Sequence, residues 1–516
     1  MADELRISLT ASSGDIEALK RKHAKKLGLS AVPQNSELIA QLRASKSEKN
    51  GDLDERLVYK LRKASGRSNS GISVIAIMLP PTSCPYNCAY CPTSEIAPKS
   101  YTGYEPAALR ARQNSFDPAK QVQVRLRQLH ANGHSTGKCE LIIMGGTFNA
   151  LSPSFQSEFV KNAFDAFNAR TSNDLQEAMK INETAEHRVV ALTVETRPDH
   201  ASASEIEHLL QMGTTRIELG VQSLDDKALQ KAQRGHGVRE TIEATRNCKD
   251  AFLKVGFHMM PGLFSTQAKD VKMAQRLFSD EAFRPDMLKI YPALVIAGTK
   301  LHEMWLDGKY TPYNDEQAAE VVARMKAHVP EYCRIMRVDR DIPTHQITAG
   351  VKKTNLRELA KKKCVELGIT CRCIRCREIG LRGSRGKVDQ NKAELKQVKY
   401  AASGGTEFFL SFENEDDNAL LGFVRLRKPS NFDQTQTMGI RELRVYGEQV
   451  AIGATPASHA VQHRSFGKKL MENAEQTARE QGADEIWVTS GVGAKEYYRK
   501  LGYSDKASYM AKSLRG

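Results

Sequence analysis

The sequence predicts an α/β chain: a partial or complete (β/α) barrel joined to a C-terminal α+β domain, with a basic helical segment in front. Three observations carry this prediction. Apolar, strand-length runs alternate with amphipathic helical stretches about six times between residues 71 and 340, the pattern of a parallel sheet wound with crossover helices. The rhythm stops at a basic, cysteine-bearing stretch over 341–395, and from about Val398 short strands follow one another before one long helix. Residues 1–70 have no such rhythm and read as polar helix.

Taken in order, "SGDIEALKRKHAKKLGL" opens on cap-forming residues and continues in good helix formers. "SGRSNSG" (65–71) is a linker or sharp turn. "GISVIAIML" is the first strand, followed by a cysteine loop and the helical "EPAALRARQ" and "DPAKQVQVRLRQLHANG". "CELIIMGGT", "VVALTVETRPD", "TRIELGVQS", "KVGFHMMPG" and "DMLKIYPAL" are the later strands, each preceded and followed by helical patterning. In barrels of this kind the chemistry sits at the C-terminal ends of the strands. The last domain (396–516) reads as strands "EFFLSFEN", "ALLGFVRLRK" and "IRELRVYGEQV", helix "SFGKKLMENAEQTAREQG", strand "EIWVTS" and a closing "AKEYYRKLGY".

Composition narrows the function classes. Hydrophobic residues are 40% and charged residues 27% of 516, ordinary for a globular protein. The first residues lack an apolar signal-peptide core, and the apolar runs are too short to span a bilayer. A reducing, cytoplasmic setting without membrane attachment is therefore expected, in which clustered cysteines read as metal or catalytic sites before disulfides. Net charge is +15, with fifteen Lys and Arg against five Asp and Glu over 350–400, and fourteen against nine over 1–70. Either these are solvated basic faces or they form the electrostatic footprint of a nucleic acid.

Cys84, Cys88 and Cys91 follow directly on the first strand at C-x3-C-x2-C spacing. Four thiolates would close a structural site, whereas three leave a position open. One reading is a zinc whose fourth ligand lies elsewhere in the chain. The other comes from the spacing itself, which resembles the signature of radical S-adenosylmethionine (SAM) enzymes. In that family the three cysteines hold a 4Fe–4S cluster and SAM chelates the open iron. Gly145, Gly146 and Thr147 in "IIMGGT" resemble the segment that meets the SAM amino group there. Glu195, Arg197, Gln222 and Lys289 lie near later strand ends and are candidates for the same pocket. Glu218 is a further polar strand residue, and His258 is open between pocket and core. Charged residues in apolar strands are costly to bury unpaired, so they either line a polar mouth or pair inside the barrel.

A second cluster, Cys371, Cys373 and Cys376 in "TCRCIRCREIG", suits a structural zinc. Its fourth donor is Cys333 or Cys364, with Cys333 preferred. The flanking arginines favour a nucleic-acid contact over catalysis.

The C-terminal pattern resembles the GNAT acetyltransferase fold, in which backbone N–H groups at a helix N-terminus hold the pyrophosphate of acetyl-CoA. In "QHRSFG" Gln462 and Gly467 fit that family's loop, while Ser465 stands where a glycine is expected. Tyr497 and Tyr498 in "EYYRKLGY" are candidates for contacts to the CoA arm.

Both halves together, with "SYTGYEPAALRARQ", "MGGTF", "ETRPD", "QRGHGVRETIEA", "GFHMMPGL" and "SGVGAKEYYRKLGY", resemble the family of Elongator catalytic subunits in its stand-alone prokaryotic form. The resemblance implies an acyltransferase acting on the wobble uridine of the tRNA anticodon stem-loop. It would use SAM, acetyl-CoA and an electron donor to install a carboxymethyl-type group at carbon 5. The implied mechanism is abstraction of hydrogen from the acetyl methyl group, addition of that carbon to the base, and thioester hydrolysis. It implies acetyl-CoA contacts at Lys138, at Glu442, Leu443, Arg444 and Val445, at Phe466, Gly467 and Lys468, and at Tyr498. Cys84, Cys88, Cys91, Lys138 and Tyr498 are then the catalytic candidates. A basic tRNA-binding segment (1–70), a radical SAM barrel (71–340), a zinc-bearing linker (341–395) and a GNAT domain (396–516) complete the expectation. The rivals are a protein lysine acetyltransferase with a structural barrel, and a non-catalytic RNA-binding protein.

Overall fold

The computed structural model describes residues 13–44, 57–62, 71–82, 84–381, 388–447 and 465–515. Gln462 lies outside the described residues, as do parts of the N-terminal segment.

Six parallel strands alternate with helices as the periodicity predicts: β1 (Ser73–Met78), β2 (Lys138–Met144), β3 (Arg188–Thr196), β4 (Arg216–Gln222), β5 (Lys254–Met259) and β6 (Met287–Ile290). A short pair, β7 (Val295–Ile296) and β9 (Ile347–Ala349), flanks a seventh parallel strand, β8 (Arg334–Val338). The sheet runs β1-β2-β3-β4-β5-β6-β8 without a β8–β1 pairing, so the barrel is partial. β8 was not expected: "RIMRV" alternates arginine with apolar residues and ends where the basic stretch begins.

Helices α1 (Ser13–Lys26) and α2 (Asn35–Ala44) precede the sheet. Around it lie α3 (Pro106–Gln113), α4 (Pro118–Ala131), α5 (Pro153–Asn168), α6 (Leu175–Asn182), α7 (Ala203–Gln211), α8 (Asp226–Lys231), α9 (Val238–Asp250) and α10 (Gln267–Ser279). Local sequence explains their starts. Asp117 and Ser152 cap α4 and α5 ahead of a proline, and Ser202 with Glu205 forms a capping box on α7. Then follow α11 (Lys300–Leu306), α12 (Asp315–Ala327), α13 (Leu356–Glu366) and the single turn α14 (Ile374–Arg377).

The second sheet comprises β10 (Glu394–Ala402), β11 (Gly405–Asn414), β12 (Ala419–Lys428), β13 (Thr437–Val445), β14 (Glu485–Val488), β15 (Ser504–Lys506) and β16 (Tyr509–Ser513). Its order is β10-β11-β12-β13-β14-β16-β15, with β13 and β14 parallel. The turn α15 (Phe432–Thr435) precedes β13; α16 (Phe466–Glu480) and α17 (Lys495–Arg499) complete the domain.

The two sheets share one apolar core, in which Phe409, Leu420, Phe423, Tyr446 and Val492 pack with barrel residues. Backbones approach closely enough that a side chain on Gly439 would strike the Phe252 ring, and one on Gly491 the Val190 carbonyl. A buried ionic cluster crosses the same seam. Arg441 donates to both oxygens of Asp286 at 2.7 and 2.6 Å and to Glu407 at 2.9 Å, while Arg427 bridges Glu407 and Asp250 at 3.0 and 2.6 Å. At the other end, α1, α2 and Leu57 and Leu61 form a small core of their own, and Arg43 donates to the His130 carbonyl at the end of α4. No helix among the described residues is long and apolar enough to cross a membrane.

Candidate active site

The cysteine loop leaves the C-terminal end of β1 and lies across the mouth of the partial barrel. Its anchors are ordinary chemistry. The Ala89 N–H donates to the Ala232 carbonyl at 2.8 Å, Tyr86 Oη lies 2.7 Å from His200 Nε2, and the Arg197 guanidinium stacks 3.3 Å from the Tyr86 ring centroid. Cys88 is buried, while Cys84 and Cys91 are half-buried. A hydrogen bond from Cys91 outweighs burial and, with Arg234 and Arg197, holds the Cys88 thiol below its ordinary range.

Beneath the loop is a cavity of about 510 Å³, lined among others by Cys84, Cys88, Cys91, Gly146, Thr147, Glu195, Arg197, Gln222, His258 and Lys289. Gly145 and Gly146 take φ of +107° and +63°; a Cβ at Gly145 would meet Pro98 at 2.8 Å, whereas Gly146 faces open space. Gln222 is also left-handed, at φ +67°, and its buried Oε1 has no hydrogen-bond partner among the described residues. A strained residue on the cavity wall, with a buried acceptor lacking a partner among the described residues, marks this wall as a candidate ligand site.

The donor set fits an iron–sulfur cluster better than zinc. Tetrahedral zinc would draw thiolates to about 3.8 Å from one another. Cys371, Cys373 and Cys376 are gathered within 4.8 Å, whereas Cys84, Cys88 and Cys91 do not form such a group. Three thiols on one loop leave a coordination position open, with the orphaned Gln222 Oε1 and the open glycine backbone beside them. Of the two expected fourth donors, Cys333 is the one packed against this cluster, close enough to Cys373 for the two thiols to feel each other's charge, though its sulfur is not within 4.8 Å of all three thiols. Cys333 is fully buried beside β8, where its carbonyl accepts the Ile374 N–H at 3.0 Å.

The charged strand residues prove to be both lining and paired. Lys289 donates to Glu195 at 2.7 Å and also bonds Glu218; His258 Nε2 lies 2.9 Å from Glu218, and Tyr101 donates to Glu195 at 3.3 Å. Glu195, Glu218 and His258 could gather a cation within 4.8 Å, but the Lys289 ammonium already bonds both carboxylates. Burial disfavours the Glu218 charge, yet Lys289, Arg216 and His258 outweigh it and hold the carboxyl well below the usual range. Arg197 is spent on the protein itself: it grips Asp199 at 2.9 and 2.8 Å and the Arg234 carbonyl at 2.6 Å.

A second cavity of about 430 Å³ opens at the other end of the same strands, where the second sheet closes over the barrel. Lys138, Glu140, Arg188, Arg216 and Lys254 reach it from β2, β3, β4 and β5. Glu442, Leu443, Arg444, Val445, Ser465, Gly467, Lys468, Tyr497 and Tyr498 face them. Phe466 is not on the wall: its ring packs against Phe412 at 5.0 Å, while its backbone opens α16. Ser465 adopts φ +65°, so the backbone keeps the glycine-like turn although the residue is serine. Gly467 is needed as glycine, because a Cβ there would lie 2.9 Å from Tyr497 Oη. Burial lowers the Lys138 ammonium, and it lowers Lys254 to about 8 despite Glu442 and Glu140 nearby. Burial also pushes Tyr497 up to about 12 and raises Tyr498.

Glu140 and Met144 are four residues apart on β2, so the two cavities are separated by roughly 13 Å of strand. A buried ionic column spans that gap: Glu140 to Arg216 at 2.5 Å, Arg216 to Glu218 at 3.0 Å, then Lys289 and Glu195. Glu140, Arg188, Arg216 and Lys254 were not expected from sequence, since each is a lone charge at a strand start. Arg234, beside Cys88, was also missed. A further cavity, about 770 Å³, lies elsewhere, between α6, α7 and α9 and the segment before β16; Met179, Ile206, Leu210 and Tyr509 line it, with no thiol.

Comparison with known proteins agrees with this division. Residues 78–277 match the radical SAM superfamily, 285–366 the radical SAM C-terminal domain, and 384–503 the acetyltransferase (GNAT) family. The chain is 45% identical over 497 residues to a tRNA uridine(34) acetyltransferase of Methanocaldococcus infernus, covering 93% of this chain and 92% of that protein. It is 40% identical to human Elongator complex protein 3, covering 97% and 93%. A solved structure of the archaeal Methanocaldococcus infernus Elp3 with an N-terminus deletion superposes with a TM-score of 0.76 at 44% identity, covering 86% of this chain and 99% of that one.

Proposed function

The chain belongs to the family of the tRNA uridine(34) acetyltransferases and Elongator complex protein 3, and from this we propose that it is an acyltransferase acting on the wobble uridine of tRNA. The proposed product is a carboxymethyl-type group at carbon 5, with acetyl-CoA as the donor. The observation that carries the reading is the pair of cavities at opposite ends of one set of strands, a thiol-rich mouth and an acetyltransferase-like junction.

At the mouth, Cys84, Cys88 and Cys91 would hold a 4Fe–4S cluster. With SAM and one electron from a donor protein, the cluster supplies radical chemistry when bound. Gly145 and Gly146 let backbone approach the ligand closely, Thr147 lines the wall, and Gln222 Oε1 offers an acceptor to an amino group. Glu195 and Lys289 hold each other in place and keep the mouth polar.

At the junction, the N–H groups of Phe466, Gly467 and Lys468 open a helix and point their positive end at a pyrophosphate. The backbone of Glu442–Val445 presents a strand edge to the pantetheine arm. Tyr497 and Tyr498 bound the thioester end, with Lys138 across the cavity. Lys138, Arg188 and Lys254 make the barrel wall of this cavity cationic, which suits a polyanionic co-substrate. Cys371, Cys373 and Cys376 would hold a structural zinc, with Cys333 beside them as the candidate fourth donor. The basic stretches over 350–400 and 1–70 supply charge for the tRNA backbone, and splaying of a loop uridine brings it within reach.

Anaerobic reconstitution with iron and sulfide, followed by tRNA, acetyl-CoA and SAM, tests the reading. Deoxyadenosine and a carboxymethyl-type uridine are expected together, and both vanish in Cys88→Ala. Modification that persists in that variant overturns the radical route. Peptide acetylation that survives it would favour the lysine acetyltransferase reading.

A further inference from the structure

Arg234 has an unusual environment for a cation. It is 6% exposed, and among the described residues no carboxylate pairs with it. Its Nη2 donates to the Gly220 carbonyl at 2.5 Å, its Nε has no partner among the described residues, and its Nη1 lies 3.4 Å from Cys88 Sγ. A guanidinium enclosed in this way is costly unless something negative faces it. Among the described residues, the hydrogen-bond partner of Arg234 that can become an anion is the Cys88 sulfur, while the nearby Tyr90 phenol is kept protonated by its burial.

The surroundings are built for this approach. A Cβ on Gly220 would lie 2.7 Å from Arg234 Nη2, so β4 carries glycine where the guanidinium passes. The Arg234 carbonyl accepts from Arg197 Nη2 at 2.6 Å, and two residues earlier the Ala232 carbonyl holds the Ala89 N–H. Arg197 also reaches Cys88, at 3.7 Å, but its charge is matched by Asp199. Of the two arginines at this sulfur, only Arg234 brings uncompensated positive charge.

We propose that Arg234 is a positioning residue for the metal cluster read at the cysteine loop, with the Cys88 thiolate ligand as its counter-charge. Its N–H···S bond stabilises the more negative, one-electron-reduced cluster and so raises the reduction potential. Arg197 contributes in the same direction but less. The inference rests on the cluster reading of Cys84, Cys88 and Cys91, and its test separates the two.

The full chain and its Arg234→Met, Arg234→Lys and Arg197→Met variants are reconstituted anaerobically. Iron and sulfide per chain are measured, and the electron paramagnetic resonance signal of the reduced cluster is followed against potential with dithionite and mediators. At equal iron content, the midpoint is expected to fall most in Arg234→Met, less in Arg197→Met, and to lie between parent and Arg234→Met in Arg234→Lys. An unchanged midpoint at full iron content overturns the proposal. So does loss of iron from Arg234→Met, which would make the residue a support for the loop. A parent that takes up no iron overturns the cluster reading itself.

Discussion

The mouth and the junction use the same strands in opposite ways. At the mouth, strand ends run into loops, and the chemistry comes from contiguous segments: three cysteines within eight residues, two glycines, a left-handed glutamine. At the junction, strand beginnings supply single charges, Lys138, Glu140, Arg188, Arg216 and Lys254, which become a wall only when the second sheet covers them. The N-terminal face of a (β/α) barrel usually serves stability and the C-terminal face chemistry. Here the covered face has a cavity of its own, and the two cavities are joined by alternating buried charges.

The largest expected effect comes from separating the two ends. Cys88→Ala should remove deoxyadenosine formation entirely while leaving acetyl-CoA affinity, measured by calorimetry, within about twofold. Equal loss of both would show that the ends are not independent. Next is the column between them. Arg216→Met leaves Glu140 and Glu218 buried without their shared partner, and should cost about 3 to 5 kcal/mol in denaturant unfolding. Adding Glu140→Gln should recover part of that loss.

A smaller effect separates the junction from the mouth by pH. Lys254 is pushed down to about 8, so its charge is present below that pH and lost above it. Binding of an anionic co-substrate should weaken as pH rises from 7 to 9, by up to about tenfold, and Lys254→Met should flatten the profile. The smallest concerns α16. Gly467→Ala places a Cβ 2.9 Å from Tyr497 Oη and should weaken acetyl-CoA binding several-fold. Tyr497→Phe in the same chain should restore part of it, which distinguishes a crowded cradle from a damaged helix.

What was legible in advance follows this division. Cys84, Cys88, Cys91, Gly145 and Gly146 were legible because spacing within one loop or strand end encodes their meeting. Glu442–Val445, Gly467, Lys468, Tyr497 and Tyr498 were legible through resemblance, and the structure gathers them at one wall. Phe466 was named through the same resemblance as an acetyl-CoA contact, and the structure adds that its ring packs against Phe412. Glu140, Arg216 and Lys254 gave no signal, because one charge in an apolar strand looks alike whether it pairs internally or faces a cavity. Arg234 lay inside a quoted segment, but nothing local shows that it passes over Gly220 to reach a cysteine 146 residues away.

By itself the sequence determined the order of strands and helices, the change of architecture near residue 395, the three-thiol loop and the basic balance. These depend on periodicity, capping and spacing, which act within a few residues. Tertiary structure alone decided that the barrel stays open after β8, that Cys333 packs beside the turn carrying the second cysteine cluster, and that an ionic column links two cavities. Each depends on which distant groups come within about 3 Å of one another, and burial makes such meetings decisive because an unpaired charge there is too costly to leave.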